Sequence, residues 1–390
     1  MILLSAREAA DRLGVKIDTL YAYVSRGLLR SMEVVGSRER HYDADEIESF
    51  RSGRGATRAR PPAEDLIPVI GSAISLIEDH RLYYRGRDAL DLAETASLEE
   101  TAAILWDVAA PNSPTPAAKA HRPFHEREEG WGKRQQFGVI ERCQARMAEL
   151  AAVDPTALDL TPVGMARTGR LILGELAATV AGTAPSSLPV HEQLAAAWNL
   201  DVADADPVRR CLVLLADHEL NASTFVARCI ASTGATLCAV VSGALAALSG
   251  RRHGGASAQV EAMFRELGDT DPMPEMAARL ARGDALPGLG QPLYPKGDPR
   301  ALAIIEALGV ARPKEGSFVV AAAVAAMQLT GQAPNVDFAL GATTVALGLP
   351  RGAALGIFLI ARSVGWIAHA AEQYESGVLI RPRARYTGRR

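Results

Sequence analysis

The chain has 390 residues, 48% hydrophobic and 22% charged, which excludes wholesale disorder and at this length calls for two or more domains. Its 42 basic and 45 acidic residues leave a net charge of −3, which excludes a nucleic-acid surface running along the whole chain. Aromatic residues are only 5%, so the core must be built from Ala, Leu, Val and Ile, a composition that favours closely packed helices.

The first fifty residues read as a small unit. Ser5-Ala6-Arg7-Glu8 is a capping box, and Ala6, Ala9, Ala10 and Leu13 follow at helical spacing. Gly14 allows a tight turn, and Ile17, Leu20 and Val24 mark a second short helix that Gly27 can end, which together make a helix-turn-helix. Met32-Glu33-Val34-Val35 and Arg38-Glu39-Arg40-His41-Tyr42 flank Gly36-Ser37 as a hairpin or wing, and Asp43-Ala44-Asp45-Glu46 opens a further helix through Phe50. The outward face of the second helix would offer Lys16, Thr19, Tyr21, Tyr23 and Arg26. Residues 1–62 carry 11 basic and 9 acidic residues, an excess of only +2. Residues 52–63, rich in Gly, Arg and a terminal Pro pair, read as a tether.

Beyond the tether the pattern is Ala-rich and helical. Tyr83-Tyr84-Arg85-Gly86-Arg87 reads as a turn, and Val108 to Arg134, with its prolines and charges, as an exposed loop. Residues Cys229 to Gly250 carry no charge, yet their Ser, Thr, Gly and Ala content points to one buried helix rather than a membrane span. Cys143, Cys211, Cys229 and Cys238 form no C-x-x-C pair and have no His at zinc spacing, so reduced thiols and no metal site are expected. The start lacks a charged segment followed by a long apolar one, so a cytoplasmic location is expected. No P-loop, G-x-S-x-G, H-E-x-x-H or strand-borne G-x-G-x-x-G occurs.

Polar residues instead punctuate the apolar helices. They are Asp217-His218-Glu219-Leu220-Asn221, His253-Gly254-Gly255, Gly288-Leu289-Gly290-Gln291, Asp298-Pro299-Arg300, Asn335-Val336-Asp337-Phe338, and Arg362, His369 and Arg381. Their order and spacing resemble the citrate synthase family over about residues 65–388. The amino-terminal stretches Leu4 to Ala10, Gly14-Val15, Thr19-Leu20-Tyr21 and Arg40-His41-Tyr42-Asp43 resemble the winged helix-turn-helix of the MerR and excisionase families over about residues 1–51.

The resemblance implies a mainly α fold: a small winged helix-turn-helix domain (1–51), a linker (52–63), and an all-helical homodimeric body. That body would have a large domain (64–252 and 341–390) and a small domain (253–340) that closes over substrates. It implies an acyltransferase that condenses acetyl-CoA or propionyl-CoA with oxaloacetate, giving citrate or 2-methylcitrate and CoA, with no cofactor. By the same resemblance Asp337 takes the methyl proton and His253 hydrogen-bonds the thioester oxygen. His218, Arg300, Arg362 and Arg381 bind the dicarboxylate, Arg381 across the dimer. Gln291 stands where the family carries a histidine that polarises the ketone, and an amide cannot supply a proton. In the head, Thr19, Tyr21, Tyr23 and Arg26 would face DNA and Arg40 would hold phosphate. Two readings follow: an enzyme, or a DNA-binding regulator whose synthase-like body senses CoA esters or citrate. A head that only assists assembly is a third.

Overall fold

A computed structural model of the chain describes residues 3–25, 29, 31–33, 40–51, 70–108, 137–250, 253–268, 270–384, 386 and 388. Contacts divide it into two units, Met1–Gly71 and Ser72–Arg390. The tether at 52–63, most of the Val108–Arg134 loop, Arg26, Gly27 and Arg38 lie outside the described residues.

In the first unit β1 (Leu3–Ser5) leads into α1 (Ala6–Leu13), then α2 (Ile17–Ser25), β2 (Met32–Glu33), β3 (Arg40–Asp43) and α3 (Ala44–Arg51). The Ser5 capping box is present in full: Glu8 N–H donates to Ser5 Oγ at 3.3 Å and Ser5 N–H to Glu8 Oε2 at 2.8 Å. Gly14 ends α1 with φ 68°, a left-handed value that only glycine adopts freely. The wing strands pair antiparallel, Met32 opposite His41 and Glu33 opposite Arg40. β1 adds a third strand on the other side of β3, giving the order β1-β3-β2. Sequence patterning missed β1, because three residues are too few to show a period. Leu4, Ala9, Ala10, Leu20, Leu29, Tyr42, Ala44 and Ile47 form this unit's own core.

The second unit opens on a three-stranded antiparallel meander: β4 (Ser75–Glu78), β5 (Arg81–Tyr84) and β6 (Arg87–Asp88). Both its turns have positive φ at their two central residues, Asp79 and His80, then Arg85 and Gly86, the geometry that suits a two-residue hairpin. The turn read at Tyr83–Arg87 is thus the second half of a small sheet.

Helices follow. First come α4 (Ala89–Thr95), α5 (Leu98–Leu105), α6 (Val139–Val153), α7 (Pro162–Ala181), α8 (Val190–Ala197) and α9 (Val202–Leu214). Next are α10 (Ala222–Ala231), α11 (Leu237–Leu248), α12 (Gly255–Leu267), α13 (Pro272–Ala281) and α14 (Pro299–Ala311). Last come α15 (Pro313–Thr330), α16 (Val336–Ala346) and α17 (Ala353–Ser376).

Small residues set the packing distances. A Cβ on Gly169 of α7 would lie 2.7 Å from the Trp106 ring at the end of α5. The uncharged stretch 229–250 is not one helix. It breaks between α10 and α11, where Gly234 takes φ 78° and Thr236 caps the second helix. The one described helix long and apolar enough to cross a membrane is α17, and 94% of its apolar window is buried inside the unit. Its burial makes it the central core helix, touching α7, α9, α10 and α11.

Candidate active site

The predicted residues come from five places that the fold brings together. Asp217 and His218 follow α9, and Tyr84 of β5 holds that crossing. Its buried hydroxyl lies 3.0 Å from the Val213 carbonyl and accepts the Asp217 backbone N–H at 3.4 Å. His253 stands just before α12. Arg300 opens α14, and Asp337 lies in the first turn of α16. Arg362 projects from the middle of α17, where its Nε donates to the Leu215 carbonyl at 2.9 Å and its guanidinium stacks 4.9 Å from the Phe358 ring centre. Arg300 and Arg362 are each 2% exposed, so their charges act through little water.

Asp337 is set by capping. Asn335 Oδ1 accepts the Asp337 N–H at 3.0 Å, starting α16, while Asn335 Nδ2 donates to the Gly290 carbonyl at 2.9 Å. Two main-chain bonds, Asn335 N–H to Gly288 O (2.9 Å) and Gly290 N–H to Ala333 O (2.8 Å), complete the tie to the 288–291 loop. At Gly288, φ is 79° and a Cβ would come within 2.8 Å of the Phe338 nitrogen, so glycine is required twice over. Burial pushes the Asp337 carboxyl up to about 6. Asp298 adds to the rise, while Arg300 and Arg362 restrain it.

Both histidines are neutral at pH 7. Burial and, behind it, Arg362 push His253 down to about 4. Burial, then Arg300 and Arg362, holds His218 well below the ordinary histidine range. His253 Nε2 lies 2.7 Å from Ser223 Oγ, which also accepts the Trp366 indole N–H at 3.2 Å and stands 2.9 Å from Asn221 Oδ1. His218 Nε2 lies 3.1 Å from Tyr294 Oη. Gln291, one turn before Tyr294, is partly buried, and its carbonyl accepts the Tyr294 N–H at 2.9 Å.

A second chain of polar groups runs behind the cluster. Asp217 Oδ2 takes the Ser75 hydroxyl at 2.5 Å and faces His369 Nε2 at 3.4 Å; His369 Nδ1 meets Arg228 at 3.2 Å, and Arg228 pairs with Glu372. Burial opposes the charge on Asp217, but His369, Arg362 and Ser75 together hold its carboxyl below the usual range. A cavity of about 830 Å³ opens beside this chain, lined in part by Trp106, Ser232, Glu372 and Tyr374.

Asp337, His253, His218, Arg300 and Arg362 therefore share one electrostatic neighbourhood. Arg381 does not join it. It lies exposed after α17 and shares no hydrogen bond or ion pair with the cluster among the described residues. In the head, Tyr21 is 50% exposed, Thr19 is partly buried, and Arg40 is exposed with its guanidinium 3.3 Å from Ser31 Oγ. Tyr23 packs its ring 5.2 Å from that of Phe50, against the head core, so it does not stand on the outward face expected of it. Sequence reasoning gave no role to Tyr84, Ser223, Tyr294, Asp298 or Trp366. Tyr84 and Asp298 sat inside quoted motifs, but only the folded contacts show what they bind.

The arrangement offers a carboxylate base of raised pKa, two neutral imidazoles and two buried guanidiniums, a set suited to carbon-acid chemistry on a dicarboxylate. A family profile described as citrate synthase, C-terminal domain, matches residues 65–383, and one described as MerR HTH family regulatory protein matches residues 4–55. The citrate synthase of Haloferax volcanii is 33% identical over 359 residues, covering 82% of this chain and 93% of that protein. The 2-methylcitrate synthase of Mycobacterium tuberculosis is 30% identical, covering 83% of this chain and 89% of that protein. Among solved structures, citrate synthase from Thermotoga maritima superposes with a TM-score of 0.68 at 27% identity, covering 83% of this chain and 94% of that one. A ternary complex of the Thermoplasma acidophilum enzyme with carboxymethyl coenzyme A and oxaloacetate shares the fold, with a TM-score of 0.66 at 22% identity over 84% of this chain and 96% of that one.

Proposed function

The chain belongs to the citrate synthase family, and from that premise we propose that its body joins acetyl-CoA or propionyl-CoA to oxaloacetate, releasing CoA and giving citrate or 2-methylcitrate. The observation that carries this reading is the Asp337 carboxyl, lifted to about 6 and faced by Arg300 and Arg362. At neutral pH it is ionised yet basic enough to take a proton from the carbon next to a thioester. His253 donates to the thioester oxygen as negative charge gathers there. Ser223, whose hydroxyl donates to Asn221 Oδ1, lies 2.7 Å from Nε2 and holds the His253 ring in place. Arg300, Arg362 and His218 hold oxaloacetate, and Arg381 completes the set from the second subunit of a homodimer. Residues 253–340 act as the smaller domain, 64–252 and 341–390 as the larger. The acyl-CoA is a substrate, and no cofactor takes part.

Gln291 can donate a hydrogen bond to the ketone but not a proton, and loss of a positioned acid typically costs ~10²–10⁴-fold. The test is CoA release from acetyl-CoA or propionyl-CoA with oxaloacetate, comparing the wild type with Gln291→His. Release by the wild type, increased in the variant, is expected. Absence of release from both proteins overturns the reading.

One observation favours a second reading. The head carries its own core and matches a regulator family, so a dimer would present two heads to a palindromic DNA site. On this reading Thr19, Tyr21, Arg26 and Arg40 meet the DNA and the body senses CoA esters or citrate. Selection of bound fragments from genomic DNA by the full chain, with and without citrate, tests it. Recovery of no enriched sequence ends it.

A further inference from the structure

The 288–300 loop carries a polar group that neither the sequence motifs nor the proposed reaction uses. Tyr294 is 1% exposed, and among the described residues its hydroxyl has one hydrogen-bond partner, His218 Nε2 at 3.1 Å. The imidazole is only partly buried, so the phenol stands behind it, away from solvent. The direction of the bond follows from counting protons. If His218 donated from Nε2, the phenol hydrogen would be left buried without an acceptor, which folded proteins avoid. The phenol therefore donates, and the proton of the neutral His218 ring sits on Nδ1.

Two further facts concern what happens if the phenol gives up its proton. The Arg300 guanidinium carbon lies 5.3 Å from the Tyr294 ring centre, where it can offset a phenolate charge. Tyr294 also follows Gln291 by a single turn, its N–H bonded to the Gln291 carbonyl. The pair thus adjoins the one position where the family's acid is missing.

We infer that Tyr294 fixes His218 as an Nδ1–H donor to the oxaloacetate ketone and that the two together deliver the proton that Gln291 cannot. This rests on the condensation proposed above. As the acyl-CoA carbon bonds to the ketone carbon, the C=O π pair moves onto oxygen. That oxygen takes the Nδ1 proton of His218, and Nε2 takes the phenol proton of Tyr294. Nε2 then returns its proton to the phenolate beside Arg300 and Nδ1 takes one from solvent, which restores the site. Tyr294 is a positioning residue in this scheme, since His218 alone touches the substrate.

The experiment uses the full chain with Tyr294→Phe, which keeps the ring and its packing. Nitrogen NMR of the histidines, assigned with His218→Gln, reads the tautomer without any turnover. An Nδ1–H form of His218 in the wild type, lost or mixed in Tyr294→Phe, is expected. An Nε2–H form in the wild type overturns the inference. Kinetically, Tyr294→Phe lowers kcat by roughly 10²-fold with little change in KM for oxaloacetate, and Gln291→His in the same chain restores it. An unchanged kcat, or a raised KM alone, overturns proton delivery. If the wild type and Gln291→His both fail to release CoA, the condensation itself falls, while the NMR result still decides the role of Tyr294.

Discussion

Asp298 holds Arg300 side-on, Oδ1 to Nε at 3.0 Å and Oδ2 to Nη2 at 2.8 Å, and the same Oδ2 accepts the Val336 N–H at 3.1 Å. One carboxylate thus starts α14, fixes a guanidinium and steadies the first residue of the helix that carries Asp337. The pair is 0% and 2% exposed. Asp298→Asn leaves the arginine charge buried without its counter-charge, which costs ~3–5 kcal/mol. Urea unfolding at pH 7 measures the loss. The substitution also removes a negative neighbour of Asp337, so the Asp337 pKa falls.

The pH profile follows from Asp337. With its carboxyl at about 6, kcat/KM rises with pH through about 6 and levels above it. Stability runs the other way. The folded pKa exceeds the unfolded value of 3.8, so the folded state binds more protons between them, and this contribution is lost as pH rises from about 4 to 6. A gap of about two pH units corresponds to as much as ~3 kcal/mol. Asp337→Asn is therefore inactive yet more stable than the wild type at pH 7, a combination that parallel activity and urea titrations detect.

Ser223 serves three partners: Asn221, His253 and Trp366. Ser223→Ala leaves the Trp366 indole N–H buried without an acceptor and frees the His253 ring. Stability falls by ~1–3 kcal/mol. Turnover falls as well, by less than the ~10²–10³-fold typical of deleting an oxyanion donor outright. Thermal unfolding and CoA release measure the two effects separately, and Ser223→Thr, which keeps the hydroxyl, recovers part of both.

Gly365 gives a purely steric test. A Cβ there would lie 2.6 Å from the Ala216 carbonyl and press on the Asp217 carboxylate. Gly365→Ala thus pushes α17 away from the crossing that presents His218. A destabilisation of ~1–3 kcal/mol, read as a lowered Tm, accompanies weaker binding of oxaloacetate.

Much of this was legible in the chain itself. The Ser5 capping box, Gly14 and the wing strands were readable because each is a local device with its own residues. The resemblance to the citrate synthase family likewise implied that His218, His253, Arg300, Asp337 and Arg362 belong to a single site. The meander escaped because strands of two to four residues show no period, and β1 because its partner lies some forty residues away. The uncharged stretch 229–250 looked continuous because hydropathy is blind to a Gly234 that bends the backbone. Tyr294 was invisible for another reason: a tyrosine's role depends on where its hydroxyl points, and spacing along a loop does not encode that.

The tie between Asn335 and the 288–291 loop has a further consequence. Every bond that shapes this loop against α16 runs through main-chain atoms or the Asn335 amide. The side chain at 291 takes no part in that tie: its amide oxygen meets the Leu293 N–H at 3.5 Å within the same loop, so it can be exchanged while the tie to α16 keeps its form. Such a position can drift between chemistries, from proton donor to amide, without endangering the fold.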